Sequence, residues 1–346
     1  MAGLAAIFWL KRRTKSGVWP CLAGVNINTL TEIVESFLRR QSLEGKRICI
    51  ALSGGLDSVV LLDAVEQLKS ALRLELQAIH VNHGLSPDAD SWAAFCVDLC
   101  VTRNIALVTT KVVVDKQSAV GLEGAARAAR YAAFVEAGAP FILLAQHADD
   151  QAETVLHQML RGTGLKGLAG MGEARAVSEN QTILRPLLNV SRADITATAR
   201  ERGLKWIEDE SNSDTVFTRN FLRHEIVPLL AARFPHYRAS LARAARHASE
   251  ADAMLEALAK IDLAWDGINA FAAALDALPQ PRQINALYHW LIWQGVPAPS
   301  QVQLAEWAAQ LFRAPPAGKP QLAGGHDFII RRSDNRLMLK RIRQKQ

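Results

Sequence analysis

Cysteine is scarce: Cys21, Cys49, Cys96 and Cys100 are the only four in 346 residues. That is too few for a disulfide framework. Cys96 and Cys100 stand four apart on an expected helix, which makes neither a Cys-x-x-Cys redox motif nor a zinc pair, so a reducing, cytoplasmic setting is expected. Long apolar runs are lacking too. Ala2 to Leu10 is apolar but too short to span a bilayer, and Lys11-Arg12-Arg13 follows it, whereas a secretory signal has its positive charges first. No membrane partner is expected, and residues 1–26 are read as an extension with no assigned function. Internal repeats are absent, and compositional bias is confined to Ala-rich helical stretches.

What the chain does have is apolar content and positive charge. Hydrophobic residues make up 49% of it, enough to give each of two domains a core. The formal charge of +6 and the pI near 9.3 suit a polyanionic partner, although basicity alone does not define a nucleic-acid binder.

The organising stretch is Arg47 to Ser58. Ile48 to Leu52 is a short continuous apolar run, as in a strand buried on both faces of a parallel sheet. From Asp57 onward Val59, Val60, Leu61, Leu62, Val65 and Leu68 supply the apolar stripe of a packed helix. Between them Ser53-Gly-Gly-Leu-Asp-Ser58 makes a turn whose glycines, Gly54 and Gly55, let main-chain N–H groups face a guest. The helix start adds the positive end of its dipole, and Ser53 and Ser58 add hydroxyl donors, so an oxyanion, best a pyrophosphate, is favoured there. Asp57 is repulsive to such an anion unless a cation intervenes, which implies Mg²⁺ between its carboxylate and phosphate oxygens. The plainer reading makes Asp57 a helix cap. No Lys follows the turn, so this is not the Gly-Lys-Ser/Thr loop of the common NTPases.

Strand and helix patterns then alternate: strand over 74–81, helix over 88–104, strand over 106–114, helix over 121–137 and strand over 141–145. This rhythm predicts an α/β fold with a parallel sheet flanked by helices, and a ligand crevice at the carboxyl ends of the strands. Asn82-His83-Gly84 and Gln146-His147-Ala-Asp149-Asp150 both fall at such ends; His80, inside a strand, reads as a satisfied core or edge residue. Around His147 the segment carries Asp149, Asp150 and Glu153. Asp150 and Glu153 have capping-box spacing, yet a cap needs only two acids, and the surplus can hold a metal or a cationic substrate. These carboxylates can steer an ammonium group and take its proton, and His147 can contact a nucleotide or leaving phosphate.

Glu123, Arg127 and Arg130 share a helical face, either as a solvated face or as a phosphate clamp. Arg161 to Gly172 has six glycines in twelve residues, too many for a stable helix, and reads as a linker or as a lid carrying Arg161 and Lys166. Beyond Arg175 the pattern turns mainly helical, with Ser191 as N-cap and Gly203 as stop for one helix. Arg219, Arg223, His224, Arg233, Arg238, Arg243 and Arg246 then cluster with few acids, a density suited to an RNA backbone. A long helix is expected over 237–260. Two more follow, from Arg282 and from Ser300, and then short strand-like runs near 321, 328 and 337. Trp290, Trp293 and Trp307 read as core or helix packing.

Ser53 to Ser58 resembles the pyrophosphate loop of the ATP pyrophosphatases. Further motifs, His80-Val-Asn-His-Gly-Leu85, Leu122-Glu…Ala-Arg-Tyr131, His147-Ala-Asp-Asp-Gln-Ala-Glu-Thr154, Arg161-Gly-Thr-Gly164, Arg185-Pro-Leu-Leu188, Trp206-Ile-Glu-Asp-Glu-Ser-Asn212 and Thr218-Arg-Asn-Phe-Leu-Arg223, occur in the order found in the tRNA(Ile)-lysidine synthetase family. That resemblance covers residues 47 to about 230. It implies an adenine nucleotide alpha-hydrolase-like, Rossmann-like catalytic domain over 27–236, a linker helix over 237–260 and a smaller α+β tRNA-binding domain over 261–346. It also implies ATP and Mg²⁺ as cofactors, with tRNA(Ile) bearing a CAU anticodon and free L-lysine as partners; the sequence leaves the oligomeric state open, a homodimer included. The reaction would adenylate C2 of the wobble cytidine and then join lysine to it. Carried onto this sequence, Ser53, Gly54, Gly55, Leu56, Asp57, Ser58, His83, Arg127 and Arg130 would bind ATP. Asp57, His147, Asp149, Asp150 and Glu153 would act in catalysis, Asp57 would hold the metal, and Lys166, Arg219 and Arg223 would touch tRNA. The chain ends soon after its basic tail, so a further C-terminal domain of longer members is expected to be absent.

Three other readings share part of this pattern. A tRNA thiolase of the same class would want paired reactive or cluster-binding cysteines, and an amidating synthetase would need an ammonia source. A non-catalytic nucleotide sensor would have no reason to keep the acids.

Overall fold

A computed structural model describes residues 27–115, 117–118, 121–208, 218–267, 270–271, 275–312, 321–324, 328–333 and 336–341. The extension expected over residues 1–26 lies outside them. In chain order the first elements are α1 (Ile27–Arg40), β1 (Arg47–Ala51), α2 (Leu56–Leu68), β2 (Glu75–Asn82), α3 (Ala89–Thr102), β3 (Ala106–Lys111), α4 (Gly121–Glu136) and β4 (Phe141–Leu143). Next come α5 (Ala148–Leu160), α6 (Leu165–Leu168), β5 (Ala174–Ser178), β6 (Gln181–Leu184), α7 (Arg192–Glu201) and α8 (Thr218–Phe221). A π-helical stretch (Leu222–Ile226) then leads to α9 (Val227–Arg233) and α10 (Tyr237–Asp262).

Six strands form one sheet in the order β3-β2-β1-β4-β6-β5. The first four neighbour pairs are parallel, and β5 closes the edge antiparallel to β6. β1 is central because Ile48, Cys49 and Ile50 are wholly buried, as its unbroken apolar run requires. One face packs on Leu30, Val34 and Leu38 of α1, on the apolar stripe of α2, and on Ile195 and Ala199 of α7. From β1 the chain steps outward to β2 and β3, then crosses back to place β4 on the other side of β1. That reversal is a topological switch point, the place in open α/β sheets where ligands bind beyond the carboxyl ends of the strands, here those of β1 and β4.

Two expectations change. The mainly helical pattern expected beyond Arg175 misses the β5–β6 hairpin; β5 is an exposed edge strand and β6 only four residues long, so neither carries a strong periodic signal. Within the glycine-rich segment Leu165–Leu168 does form a helical turn, one turn being all that its glycines allow. Ser191 caps α7 as expected, accepting from the Asp194 N–H at 3.2 Å, and Gly203 beyond the helix end has φ +60°.

The chain divides into two compact units: residues 1–153 with 171–238, and residues 154–170 with 239–346. In the second, β7 (Ala270–Phe271), a 3₁₀ turn (Leu275–Ala277), α11 (Gln280–Trp293), α12 (Gln301–Phe312), β8 (Gln321–Gly324), β9 (Phe328–Ser333) and β10 (Arg336–Arg341) follow α10. Its strands make an antiparallel sheet in the order β7-β10-β9-β8. Trp290, Leu287, Leu291, Leu311 and Ile330 form its core, and Trp293 and Trp307 pack against it. In the basic tail, Arg332 pairs through both terminal nitrogens with Asp276 at 2.6 Å, and Arg336 stacks over Phe271.

Candidate active site

The turn after β1 is held in shape by its own serines. The Ser58 hydroxyl donates to the Gly55 carbonyl at 2.9 Å and accepts from the Ser53 N–H at 3.2 Å, and the two hydroxyls lie 3.1 Å apart. Gly54 sits at φ +87°, a conformation that costs a residue with a Cβ about 1–2 kcal/mol. A Cβ there would also lie 2.6 Å from Ile207 Cδ1 and 3.2 Å from Cys96 Sγ. Ile207 fastens the turn from outside, its N–H donating to the Gly54 carbonyl at 2.9 Å. Gly55 is the N-cap of α2 and offers no side-chain cap, so the first turn of α2 faces the crevice with no protein cap on its amides. Asp57 stands in that turn, and its Oδ1 is buried with no hydrogen-bond partner among the described residues.

His147 meets Asp57 from the β4 side of the crevice. It is 1% exposed, and its Nε2 lies 3.6 Å from Asp57 Oδ2 and 3.5 Å from Asp150 Oδ2. His147 also caps α5: its N–H donates to Asp150 Oδ2 at 3.1 Å while its Nδ1 accepts the Asp150 N–H at 3.4 Å. The capping box is thus His147 with Asp150, not Asp150 with Glu153. Glu153 is held instead by Arg223, which donates to both of its oxygens at 2.7 and 2.8 Å and reaches Asp150 at 3.3 Å. Asp149 accepts from the Arg192 N–H at 2.9 Å and from Arg238 Nε at 2.6 Å.

Four carboxylates therefore face two guanidiniums and one imidazole, a nest that stays net negative whether or not His147 is protonated. Burial works to lower the pKa of His147, but the Asp57 hydrogen bond and the charges of Asp150, Asp57 and Asp149 outweigh it and raise the pKa. Burial raises that of Glu153 against the pull of Arg223. For Asp149, burial is overcome by the Arg192 N–H and Arg238, and its pKa falls.

The remaining expected residues are placed as follows. His80 is buried, its Nδ1 2.9 Å from the Leu52 carbonyl below the turn, as a satisfied core residue should be. His83 follows β2 with a buried Nδ1 that has no hydrogen-bond partner among the described residues; burial, then the charge of Arg130, lowers its pKa. Arg127 lies against Tyr131. Arg223, expected at tRNA, is engaged by the acids, while Arg219 is carried by α8. Lys166 is exposed on α6 in the other compact unit. Sequence reasoning did not single out Ile207, Arg192, Arg238 or Tyr131 as parts of the site. Ile207 and Tyr131 lie in quoted motifs, the one signal that could have found them, and Arg238 stood in the basic cluster read as an RNA contact.

Residues 27–230 match the PP-loop domain family, and residues 272–338 match the TilS substrate binding domain. A tRNA(Ile)-lysidine synthase of Azoarcus sp. is 45% identical over 274 residues, 78% of this chain and 60% of that protein. One of Actinobacillus pleuropneumoniae is 39% identical over 316 residues, covering 90% of this chain and 74% of the relative. The chain belongs to the tRNA(Ile)-lysidine synthase family. It spans about three fifths of the length of the Azoarcus member of that family. Among solved structures, the U34-tRNA thiolase NcsA from Methanococcus maripaludis, solved with its [4Fe-4S] cluster, superposes with a TM-score of 0.56. It is 19% identical and covers 64% of this chain and 78% of that one, a likeness of fold. No described helix is long and apolar enough to cross a membrane.

Proposed function

We propose that this member of the lysidine synthase family binds ATP on the turn after β1 and joins lysine to C2 of the wobble cytidine in CAU-anticodon tRNA(Ile). The C2 oxygen attacks the α-phosphorus and pyrophosphate leaves. The lysine ε-amine, having lost a proton, then attacks C2 and AMP departs with the oxygen, leaving lysidine. The observation that carries this reading is the 3.6 Å approach of His147 to Asp57, which sets a net-negative nest against an anion-binding turn.

The two charges suit the two substrates. The uncapped first turn of α2 and the serine hydroxyls favour the phosphates, and Arg130 beside His83 adds positive charge on that side. The orphaned Oδ1 of Asp57 fits a hard cation that takes one carboxylate and completes its shell with phosphate oxygens, and Mg²⁺ there would offset phosphate charge. Asp150 and Glu153 stand ready for the ammonium. Glu153, with its raised pKa, is the better placed to accept the proton, and Arg223 holds it in position. Asp149 braces the nest through Arg192 and Arg238.

The thiolase alternative gains nothing from the described cysteines. Burial pushes Cys49 and Cys96 up to about 12 and Cys100 to about 11, so none is a ready thiolate.

The test is incubation with ATP, Mg²⁺, labelled lysine and a CAU-anticodon isoleucine tRNA transcript. Label in the RNA is expected; its absence beside an active control enzyme overturns the proposal. Asp57→Ala is expected to abolish AMP release, and wild-type turnover in that variant would refute the role given to Asp57.

A further inference from the structure

A second charged cluster, opposite in sign to the nest, occupies the same edge of the sheet. Arg127 of α4, Arg175 of β5 and Arg185, the residue after β6, converge on Tyr131. The Arg127 Cζ lies 5.1 Å from the ring centroid, and its Nη2 donates to the phenol oxygen at 3.1 Å. The Arg175 Cζ lies 5.4 Å from the same centroid, and Arg185 faces the hydroxyl. Arg185 is only 2% exposed; its Nε donates to Gln146 Oε1 and its Nη1 to the Gly172 carbonyl at 2.7 Å. Gln146 is the residue before His147.

No carboxylate pairs with any of these three arginines among the described residues. Glu173, near them in sequence, is turned to Arg40 at 3.3 Å and Asn189 at 3.1 Å. Burying a guanidinium beside two others costs several kcal/mol unless an anion answers it. Burial, with the charges of Arg127 and Arg175, pulls the Arg185 pKa down. Arginine nevertheless keeps its proton at neutral pH, so the charge persists, and among the described residues no carboxylate answers it. Guanidinium forks match the spacing of phosphate oxygens, and Tyr131 gives two of them a flat surface to stack on.

We propose that Arg127, Arg175 and Arg185, set around Tyr131, form a seat for a phosphate oxyanion, additional to the turn after β1. The phosphate comes from an RNA backbone or from the nucleotide tail. The RNA source rests on the function proposed above; the seat itself does not.

The test measures affinity for the tRNA transcript across a salt series, and affinity for ATP, in wild type, Arg127→Gln, Arg175→Gln and Arg175→Lys. Arg175 is exposed, so its replacement empties no core; unfolding midpoints are followed in parallel. Both glutamine variants should lose about tenfold in affinity for one of the two ligands, with Arg175→Lys recovering part of the loss. Loss for tRNA, with a salt slope lower by about one, assigns the seat to an RNA phosphodiester. Loss for ATP with tRNA affinity unchanged assigns it to the nucleotide tail. Wild-type affinity for both ligands in both glutamine variants overturns the proposal. A wild-type chain that makes no lysidine, while its variants show these losses, removes the function proposed above and leaves the seat standing.

Discussion

Gly54→Ala should uncouple the turn after β1 from its support. Two costs add. The residue sits at φ +87°, where a Cβ costs about 1–2 kcal/mol whatever the surrounding space. The new methyl would also stand 2.6 Å from Ile207 Cδ1, 3.2 Å from Cys96 Sγ and 3.4 Å from Phe95 Cδ1. Ile207 Cδ1 is the tip of a rotatable chain and can yield, so this steric part belongs near the lower end of the roughly 1–3 kcal/mol typical of overpacking. The sum is about 2–3 kcal/mol, a large share of the roughly 5–15 kcal/mol that stabilises a typical protein. Urea unfolding of the variant measures it. Adding Ile207→Ala to Gly54→Ala separates the parts: relative to Ile207→Ala alone, the penalty should shrink to the backbone part without vanishing. A Gly54→Ala protein within about 0.5 kcal/mol of wild type, the range of ordinary surface substitutions, would refute the reasoning.

Two further outcomes follow from the acidic nest. Arg223→Ala strands Glu153, whose side chain is 5% exposed, without its cation, and should destabilise by about 3 kcal/mol in urea unfolding, with Arg223→Lys recovering part; an unchanged midpoint would contradict the pairing. His147 has a raised native pKa, so its protonated form stabilises the fold fully below about pH 6.5, and that stabilisation is lost as pH rises through the native value. The stability of wild type relative to His147→Gln should therefore fall as pH rises above about 6.5, and a gap that widened instead would refute the assignment.

How legible the fold was depended on where the signal lay in the chain. β1, the turn and α2 were readable because an apolar run, two glycines and a helical stripe are contiguous. β5 was not: Ala174-Arg-Ala-Val-Ser178 is an exposed edge strand whose burial comes only from its neighbour. The acidic cluster was visible as residue types, but its wiring was not. Arg223 to Glu153 and Arg238 to Asp149 join positions 70 and 89 residues apart, and local spacing cannot report such pairs. The roles within the cap of α5 were misassigned because His147, as well as the acids, can accept an amide hydrogen bond.

The bond from Ile207 to the Gly54 carbonyl has a consequence for biosynthesis. During synthesis the β1 segment emerges from the ribosome long before Ile207 does, and closing a loop of about 150 residues is a late event in chain growth. A nascent chain truncated before that residue would carry the whole glycine motif and yet lack the clasp that fixes its curvature, so the turn should reach its final shape only once the later segment has been translated.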